Sequence, residues 1–459
     1  MADLAAHPVG APLGGGGISF GTDGIRGRVG PLMTPALALQ VGYWSGQVLA
    51  GDGPVLIGMD SRSSGPMLSA ALAAGLTAAG REVWELGLCP TPAVARLVRR
   101  LGAAGGVMVS ASHNPPEDNG IKLFAASGAK LSRSQQEAIE AGLRGEVRPA
   151  LSRCGAIYQR NELLSQYREL LEQGLAGRRL AGRRIVLDLC WGSATALSAG
   201  LFRDLGAEIS VLHGEADGSA INVGCGSTHL APLRQSVLEQ GAELGFAFDG
   251  DADRVLAVDG QGRLVDGDHI LYLWGSALAA AGQLPEQRLV ATVMSNLGFE
   301  RAWLARGGLL ERTAVGDQFV HGAMEASGAA LGGEQSGHIL CAHHDLCGDG
   351  LLTALQLVAL LEPGETLADR LDHSFSSYPQ RLKNVRVPDK ARRKGWQQCA
   401  PLGEAIAAAE TAMAGEGRVL VRASGTEPLL RVMVEASSQA AVDHWTEQLA
   451  AIADRELNG

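Results

Sequence analysis

Residues 245–259 read Gly-Phe-Ala-Phe-Asp-Gly-Asp-Ala-Asp-Arg-Val-Leu-Ala-Val-Asp, an acidic, glycine-bearing loop set directly between two apolar, strand-like runs. The chain around it repeats one texture: a short apolar strand, a glycine-rich turn, an Ala/Leu-rich helix. Residues 54–60 (PVLIGMD) lead into a helix-like stretch at 66–79, and residues 106–109 end at the polar run SASHNP. Residues 184–189 (RIVLDL) precede a helical stretch near 195–205, and residues 289–294 end at SNLG. Thr34 followed by Pro35 marks a helix start, a cap residue and then proline at the first position. Strands alternating with helices at this spacing imply βαβ units and parallel or mixed sheets. In such sheets ligands bind at the carboxyl ends of the strands, which is where the polar segments fall. Three α/β blocks of this kind precede a change of texture after Tyr378. There a basic cluster at 390–394 is followed by a helix-like 402–413, strand-like 418–421 and 429–435, and a final helix, a smaller α+β domain.

The chain has 459 residues, too many for one hydrophobic core, so three or four domains are expected. Hydrophobic residues are 46% and charged residues 19%, which excludes wholesale disorder. The 62 glycines show no three-residue period, so they read as tight turns and close backbone approaches. A formal charge of −10 argues against nucleic acid or an anionic membrane as main partner, while leaving room for a small anionic substrate. No apolar stretch approaches the ~20 residues of a membrane helix. Residues 1–17 lack a secretory pattern and read as a mobile tail. Seven scattered cysteines suit a reducing cytoplasm, most of them as core residues.

Asp249, Asp251 and Asp253 stand at i, i+2 and i+4, so in an extended segment they project to one side. Three converging negative charges need a cation, and oxygen-only ligands point to a hard ion such as Mg²⁺. An EF-hand fails, since its sixth and twelfth positions hold Arg254 and Gly260; an aspartyl-nucleophile phosphatase fits poorly because position five is Asp253. A solvated acidic turn is the plain alternative. Ser110-Ala-Ser112-His113-Asn114-Pro115, continuing to Asp118-Asn-Gly-Ile-Lys122, places serines and a histidine at a strand end without a G-x-S-x-G elbow. Ser112 could carry a phosphoryl group or lie in a capped turn, and Lys122 could donate to phosphate or, if desolvated, act as a base. Arg422-Ala-Ser424-Gly425-Thr426 offers an anion-binding nest, and Glu334-Gln-Ser336-Gly-His338 offers hydroxyl-holding side chains. Phe20-Gly-Thr-Asp-Gly-Ile-Arg26-Gly is a further glycine-punctuated loop, otherwise a turn with a surface ion pair. Cys341-Ala-His343-His344-Asp345-Leu-Cys347 has zinc-like ligand types but no paired-knuckle spacing, so an incidental loop is the stronger reading.

FGTDGIRG, SASHNP with DNGIK, DGDADR, GEQSGH and RASGTEPLLRVMVE, in this order, resemble the α-D-phosphohexomutase family. INVGCGSTH (221–229), TVMSNLG (292–298) and RTAVGDQFV (312–320) resemble its glucosamine branch. The resemblance implies three similar α/β domains with mixed sheets plus a smaller C-terminal α+β domain around a central cleft, at residues 18–158, 159–260, 261–372 and 373–459. It implies Ser112 as the phosphoserine. Asp249, Asp251 and Asp253, with a phosphoserine oxygen, would hold one Mg²⁺ per subunit. Arg254 and Lys122 would assist transfer, with Arg26 and His113 lining the same pocket. Glu334 and Ser336 would hold sugar hydroxyls beside His338, and Arg422, Ser424, Gly425 and Thr426 would hold the non-reacting phosphate. The implied activity interconverts glucosamine 6-phosphate and glucosamine 1-phosphate through a hexosamine 1,6-bisphosphate, also an activator, and supplies UDP-N-acetylglucosamine synthesis in a cytoplasmic monomer or homodimer. The ProPro-Glu run at 115–117 and Cys347 depart from the family pattern. The competing readings are a phosphomannomutase or phosphoglucomutase of the same family, a metal-dependent phosphatase with Asp249 as nucleophile, and a non-catalytic sugar-phosphate binder.

Overall fold

A computed structural model of the chain describes residues 18–21, 23–150, 153–345, 347–424 and 428–459; the expected tail at 1–17 lies outside them. Two units are distinguished, Met1–Met294 with Gly308–Ser374, and Ser295–Gly307 with Phe375–Gly459. The larger unit holds three mixed sheets and the smaller a three-stranded antiparallel one.

In the first sheet the strands run Ile25–Arg28, Asp118–Ala125, Gly105–Val109, Val55–Met59, Val83–Leu88, Ile157–Gln159. The last four are mutually parallel, and Asp118–Ala125 is antiparallel to both its neighbours. The second sheet runs Leu264–Val265, Val255–Asp259, Leu244–Phe248, Arg184–Asp188, Glu208–Leu212, and the third Leu309–Thr313, Arg288–Thr292, Leu331–Gly333, Ile339–Cys341. Each sheet has a parallel core and an antiparallel hairpin, Gly105–Val109 with Asp118–Ala125, Leu244–Phe248 with Val255–Asp259 and Leu331–Gly333 with Ile339–Cys341, and the second sheet adds Leu264–Val265 antiparallel to Val255–Asp259. The turns of these hairpins are SASHNP, DGDADR and GEQSGH. The segments expected at strand carboxyl ends are therefore there, but as hairpin turns and not as entries to crossover helices.

Local chemistry explains the elements. The Thr34 hydroxyl accepts the N–H of Leu37 and Pro35 opens helix Pro35–Val48, as the sequence implied. Its partner Gly65–Ala78 crosses it at glycine: a Cβ on Gly42 would lie 2.3 Å from the Leu72 carbonyl oxygen, and one on Gly75 2.0 Å from that of Leu39. Leu37, Val41, Leu68, Leu72 and Leu76 fill this seam fully buried, each worth about 1.5–3 kcal/mol of transfer from water. The helix expected near 195–205 is broken into a 3₁₀ turn, Ser193–Ala196, and helix Ser198–Asp204. All seven cysteines are free thiols. Cys89, Cys190 and Cys225 are core residues as expected, whereas Cys154 is exposed and Cys399 half-buried. Cys154 precedes Ile157–Gln159, an edge strand exposed along its whole length, so no core reaches it. Among the described residues no helix is long and apolar enough to cross a membrane.

In the smaller unit, Gln380–Arg386, Leu429–Ala436 and Gly417–Ala423 pair in that order, with helices Ala400–Ala412 and Gln439–Asn458 burying Leu402, Ala409, Val442 and Leu449 in one core with the sheet. Helix Leu297–Ala305, which begins within SNLG, belongs here. The Leu297 N–H donates to Glu435 Oε1 at 2.7 Å, and Asn296 bonds the backbone of Tyr378 in both directions.

Candidate active site

Segments far apart in the sequence meet at the hairpin turns. Ser112 Oγ donates to Asp249 Oδ2 at 2.6 Å, across 137 positions of chain. Lys122 Nζ, on the returning strand of the first hairpin, donates to Asp251 Oδ2 at 2.6 Å and Asp253 Oδ2 at 2.7 Å. Ser112, Lys122 and the three aspartates are all buried. One oxygen from each aspartate lies within 4.8 Å of the others. The reason for the convergence differs from the one the spacing suggested. The segment is not extended: Ala252 has φ +55°, and its N–H donates back to the Asp249 carbonyl at 3.1 Å, so a tight turn gathers the carboxylates. Ser112 also has left-handed backbone, φ +52°, a strain that a non-glycine residue keeps only where its surroundings enforce it.

The enforcement comes from Arg62, a residue the sequence reading passed over. Its side chain is fully buried beside Asp60 (Nε to Oδ2, 3.0 Å). The guanidinium donates to the carbonyl oxygens of Ser112 at 3.0 Å, Asn114 at 2.7 Å and Asp118 at 2.8 Å, and also to that of Pro115. Asn222 adds two more donations, to Ser112 O at 2.8 Å and Asn114 O at 2.9 Å. The Thr91 N–H donates to the Asp251 carbonyl at 2.9 Å and its hydroxyl to Asp251 Oδ2, another contact with no signal in the motif. The departure at 115–117 is thus held through its carbonyl oxygen.

Burial and charge set the protonation states. Burial, then Asp253 and Asp251, push the Asp249 carboxyl up to about 8. Burial pulls Lys122 down, but Asp251 and Asp253 outweigh it and the ammonium is held above its ordinary range. The base reading of Lys122 is therefore corrected: paired to two carboxylates it is a charged donor. Burial with Arg254 and Arg26 takes His113 down to about 4, leaving a neutral ring whose Nδ1 lies 3.2 Å from Ser112 Oγ. His338 is raised, because Asp253 outweighs its burial; Nδ1 is 3.6 Å from Asp253 Oδ1 and Nε2 3.5 Å from Asp317 Oδ2.

Arg26 pairs with Asp23, the ion pair foreseen in that turn, but not at a free surface: Asp23 also lies 3.2 Å from Lys122 Nζ and pairs with Lys130, which reaches Asp317 Oδ2 at 2.5 Å. The Nε atoms of Arg26 and Arg254 are buried and meet no hydrogen-bond acceptor among the described residues. Glu334 accepts the Gly316 N–H at 2.9 Å and the Ser336 hydroxyl at 3.3 Å, and the Val255 N–H bonds the Gly337 carbonyl at 3.1 Å, tying this hairpin to the acidic one. In the other unit Arg422 closes strand Gly417–Ala423, and the Ser424 N–H donates to the Leu429 carbonyl at 2.8 Å. Gly425 and Thr426 lie outside the described residues. In the loop from Cys341 to Cys347, His343 Nε2 lies 2.8 Å from the Gln283 carbonyl oxygen, and Asp345 pairs with Arg96 and Arg99.

Comparison with known proteins agrees along the whole chain. It matches the profiles described as Phosphoglucomutase/phosphomannomutase, alpha/beta/alpha domains I, II and III and C-terminal domain, over residues 17–148, 166–262, 266–378 and 382–452. It is 79% identical to the phosphoglucosamine mutase of Synechococcus sp. (strain RCC307), covering 100% of both chains. It is 68% identical to that of Prochlorococcus marinus (strain MIT 9303), covering 100% and 99%. A phosphoglucomutase/phosphomannomutase family protein from Burkholderia thailandensis superposes with TM-score 0.79 at 25% identity, over 95% of this chain and 98% of that one. Aspergillus fumigatus N-acetylphosphoglucosamine mutase, solved with GlcNAc-6P and magnesium, shares the fold at TM-score 0.64 and 19% identity, over 96% of each chain. With four matching domains, high identity over its full length and mixed sheets in the matching order, the chain belongs to the phosphoglucomutase/phosphomannomutase family and is an enzyme of the mutase class.

Proposed function

We propose that the chain interconverts glucosamine 6-phosphate and glucosamine 1-phosphate through a phosphoserine at Ser112 and an enzyme-bound hexosamine 1,6-bisphosphate. The observation that carries this reading is the 2.6 Å contact of Ser112 Oγ with Asp249 inside a buried acidic turn. A hydrolase using Asp249 would have no need of a strained serine against its nucleophile. The sugar follows from the named relatives and from the sequence of the glucosamine branch. On this reading residues 18–158, 159–260, 261–372 and 373–459 are four domains.

The acidic turn suits Mg²⁺. Its donors are all oxygen, and Asp251 Oδ1 and Asp253 Oδ1 are buried without a hydrogen-bond partner among the described residues, a costly state that a hard cation relieves. Asp249, Asp251 and Asp253 would hold Mg²⁺, which would supply positive charge to offset the negative charge of the transferred phosphoryl group. The chain's own residues do the rest. Arg62 and Asn222 fix the serine loop, so Ser112 Oγ meets either end of the sugar in one orientation. Lys122, Arg26 and Arg254 present charged donors where negative charge moves, the two arginines with Nε to spare. His113, neutral, orients the Ser112 hydroxyl. Glu334 and Ser336 would hold sugar hydroxyls, and Arg422, Ser424, Gly425 and Thr426 the phosphate at rest.

The test is Ser112→Ala beside wild type, assayed with the 6-phosphates of glucosamine, glucose and mannose, with peptide mapping of the phosphorylated protein. Phosphate on Ser112, highest kcat/KM for glucosamine 6-phosphate and loss of turnover in the variant are expected. Full isomerase activity in Ser112→Ala, or phosphate on Asp249, overturns the mechanism.

A further inference from the structure

The second sheet carries another cluster, one strand away from the acidic turn and built of different atoms. Asp188 ends strand Arg184–Asp188, which lies beside Leu244–Phe248; His213 follows strand Glu208–Leu212; Cys225 stands before the 3₁₀ turn Gly226–Thr228. One ligand atom from each lies within 4.8 Å of the other two. Cys190 adds a second sulfur, 3.8 Å from Cys225 Sγ. Asp188, Cys190 and Cys225 are buried, and His213 keeps about a fifth of its side chain exposed (22%).

The cluster is organised beyond mere proximity. Asp188 Oδ1 accepts the Cys190 N–H at 3.0 Å and lies 2.8 Å from His213 Nδ1, while Oδ2 accepts the Gly226 N–H at 2.9 Å. Hydrogen bonds of this kind to a ligating carboxylate orient it in metal sites. Ten non-glycine residues have left-handed backbone among the described residues, and four of them, Cys190, Trp191, His213 and Asn222, are here. Strain concentrated in this way marks positions set by something other than chain preference. The spacing is informative too. Two sulfurs bound to one zinc at about 2.3 Å, at the tetrahedral angle, are about 3.8 Å apart, whereas a disulfide needs about 2.05 Å.

We propose that Asp188, Cys190, His213 and Cys225 form a closed, four-ligand structural site for Zn²⁺, separate from the all-oxygen turn at Asp249. Two sulfurs, an imidazole and a carboxylate are the donor set of a borderline-soft divalent ion and a poor one for Mg²⁺. Binding expels one proton from each thiol, and the Cys190 side chain turns from Asn222 Oδ1, which it now meets at 3.1 Å, toward the cation. Because Asn222 holds the carbonyls of Ser112 and Asn114, the ion braces the reactive-serine loop from behind. The inference is independent of the sugar chemistry proposed above.

The experiment takes the full chain, strips it with a chelator, saturates it with Mg²⁺ and adds Co²⁺. One equivalent is expected to give a sulfur-to-cobalt charge-transfer band with the intense visible absorption of four-coordinate cobalt, displaced by Zn²⁺. Cys225→Ser is expected to lose about half of the charge-transfer intensity or to weaken Zn²⁺ binding at least tenfold, and Asp251→Asn to leave the spectrum unchanged. If Cys225→Ser does not fold, wild type supplies the second measure: Zn²⁺ should slow alkylation of Cys190 and Cys225 at least tenfold, with exposed Cys154 as the internal standard. Absence of the band, an unchanged spectrum in Cys225→Ser, equal alkylation with and without Zn²⁺, or a Cys190–Cys225 disulfide in place of the metal overturns the proposal.

Discussion

Replacing Arg62 with alanine tests whether the reactive-serine loop is held by one buried guanidinium. The side chain is fully buried with Asp60 and donates to four backbone carbonyls, those of Ser112, Asn114, Pro115 and Asp118. Alanine leaves a buried carboxylate without its cation and takes one donor from each of four carbonyls, of which those of Ser112 and Asn114 keep only Asn222. Breaking a buried ion pair from one side costs about 3–5 kcal/mol. A loss on the order of 4 kcal/mol in the larger unit corresponds to a Tm drop on the order of 10 °C. The sign with pH is fixed by Asp60. Burial already raises its carboxyl to about 6 against the pull of Arg62, so wild type loses that contribution as pH rises from the unfolded value of 3.8 through about 6. Without Arg62 the folded value lies higher still, and the variant keeps losing stability above pH 6 where wild type no longer does. The gap should therefore widen by about 1.4 kcal/mol per pH unit above pH 6, until the variant's own carboxyl has titrated. Thermal unfolding at pH 6, 7 and 8, with turnover measured in parallel, reads both effects, and kcat should fall at least tenfold as Ser112 loses its left-handed hold. An unchanged Tm with normal kcat, or a gap that narrows as pH rises, would refute the clamp.

Chelator-treated wild type should lose thermal stability between pH 6 and 8, because a carboxyl raised to about 8 binds its proton in the folded state and loses that contribution as pH climbs through this value; Asp249→Asn should show a shallower slope, and equal slopes would contradict the assignment. His113, held down to about 4, is neutral throughout the working range, so the pH profile of kcat/KM should show no inflection between pH 6 and 7 that disappears in His113→Gln. Gly192→Ala places a Cβ 2.4 Å from the Gly250 carbonyl oxygen and 2.9 Å from its Cα, so the acidic turn must shift. A stability loss of about 1–3 kcal/mol, together with weaker Mg²⁺ binding by calorimetry, is the expected outcome, and wild-type affinity would show that the turn has slack.

The sequence exposes the parts of this site whose chemistry is written into residue type. Three aspartates in five positions, a serine-histidine pair and a glycine-rich turn are conspicuous wherever they fall, and alternating strands and helices announce mixed α/β sheets. What stays hidden depends on backbone atoms. Arg62, three residues past strand Val55–Met59, looks like any surface arginine, because most of its partners are carbonyls that every residue has. Asn222 is hidden for the same reason, and Thr91 and Lys130 because their carboxylate partners Asp251, Asp23 and Asp317 lie on distant segments. The aspartates converge for a cause that spacing alone could not show, since only the left-handed Ala252 turns i, i+2, i+4 into a cup. Lys122 could be read as base or donor from its position, and two carboxylates within 2.7 Å decide for the ammonium. Cys190 and Cys225, 35 positions apart, carry no motif and look like separate core residues until the sheet brings them together.

Charge balance explains why the pocket contains so much of both signs. Asp23, Asp249, Asp251, Asp253, Asp317 and Glu334 face Arg26, Lys122, Lys130, Arg254 and a His338 raised by Asp253. The carboxyl of Asp249, raised to about 8, stays protonated at neutral pH, so five formal negatives meet four fixed positives and one titratable ring. A phosphoserine brings roughly −1.5 to −2, which this near-neutral, buried set could not take up alone, and a divalent cation restores the balance. Phosphate without metal is an unfavourable state, so the two ligands should bind with positive cooperativity. By linkage each must raise the other's affinity by the same factor. Mg²⁺ titrations of the phosphorylated and dephosphorylated enzyme measure that factor directly. Equal affinities for the two forms would mean that the acidic turn and Ser112 do not share one electrostatic site.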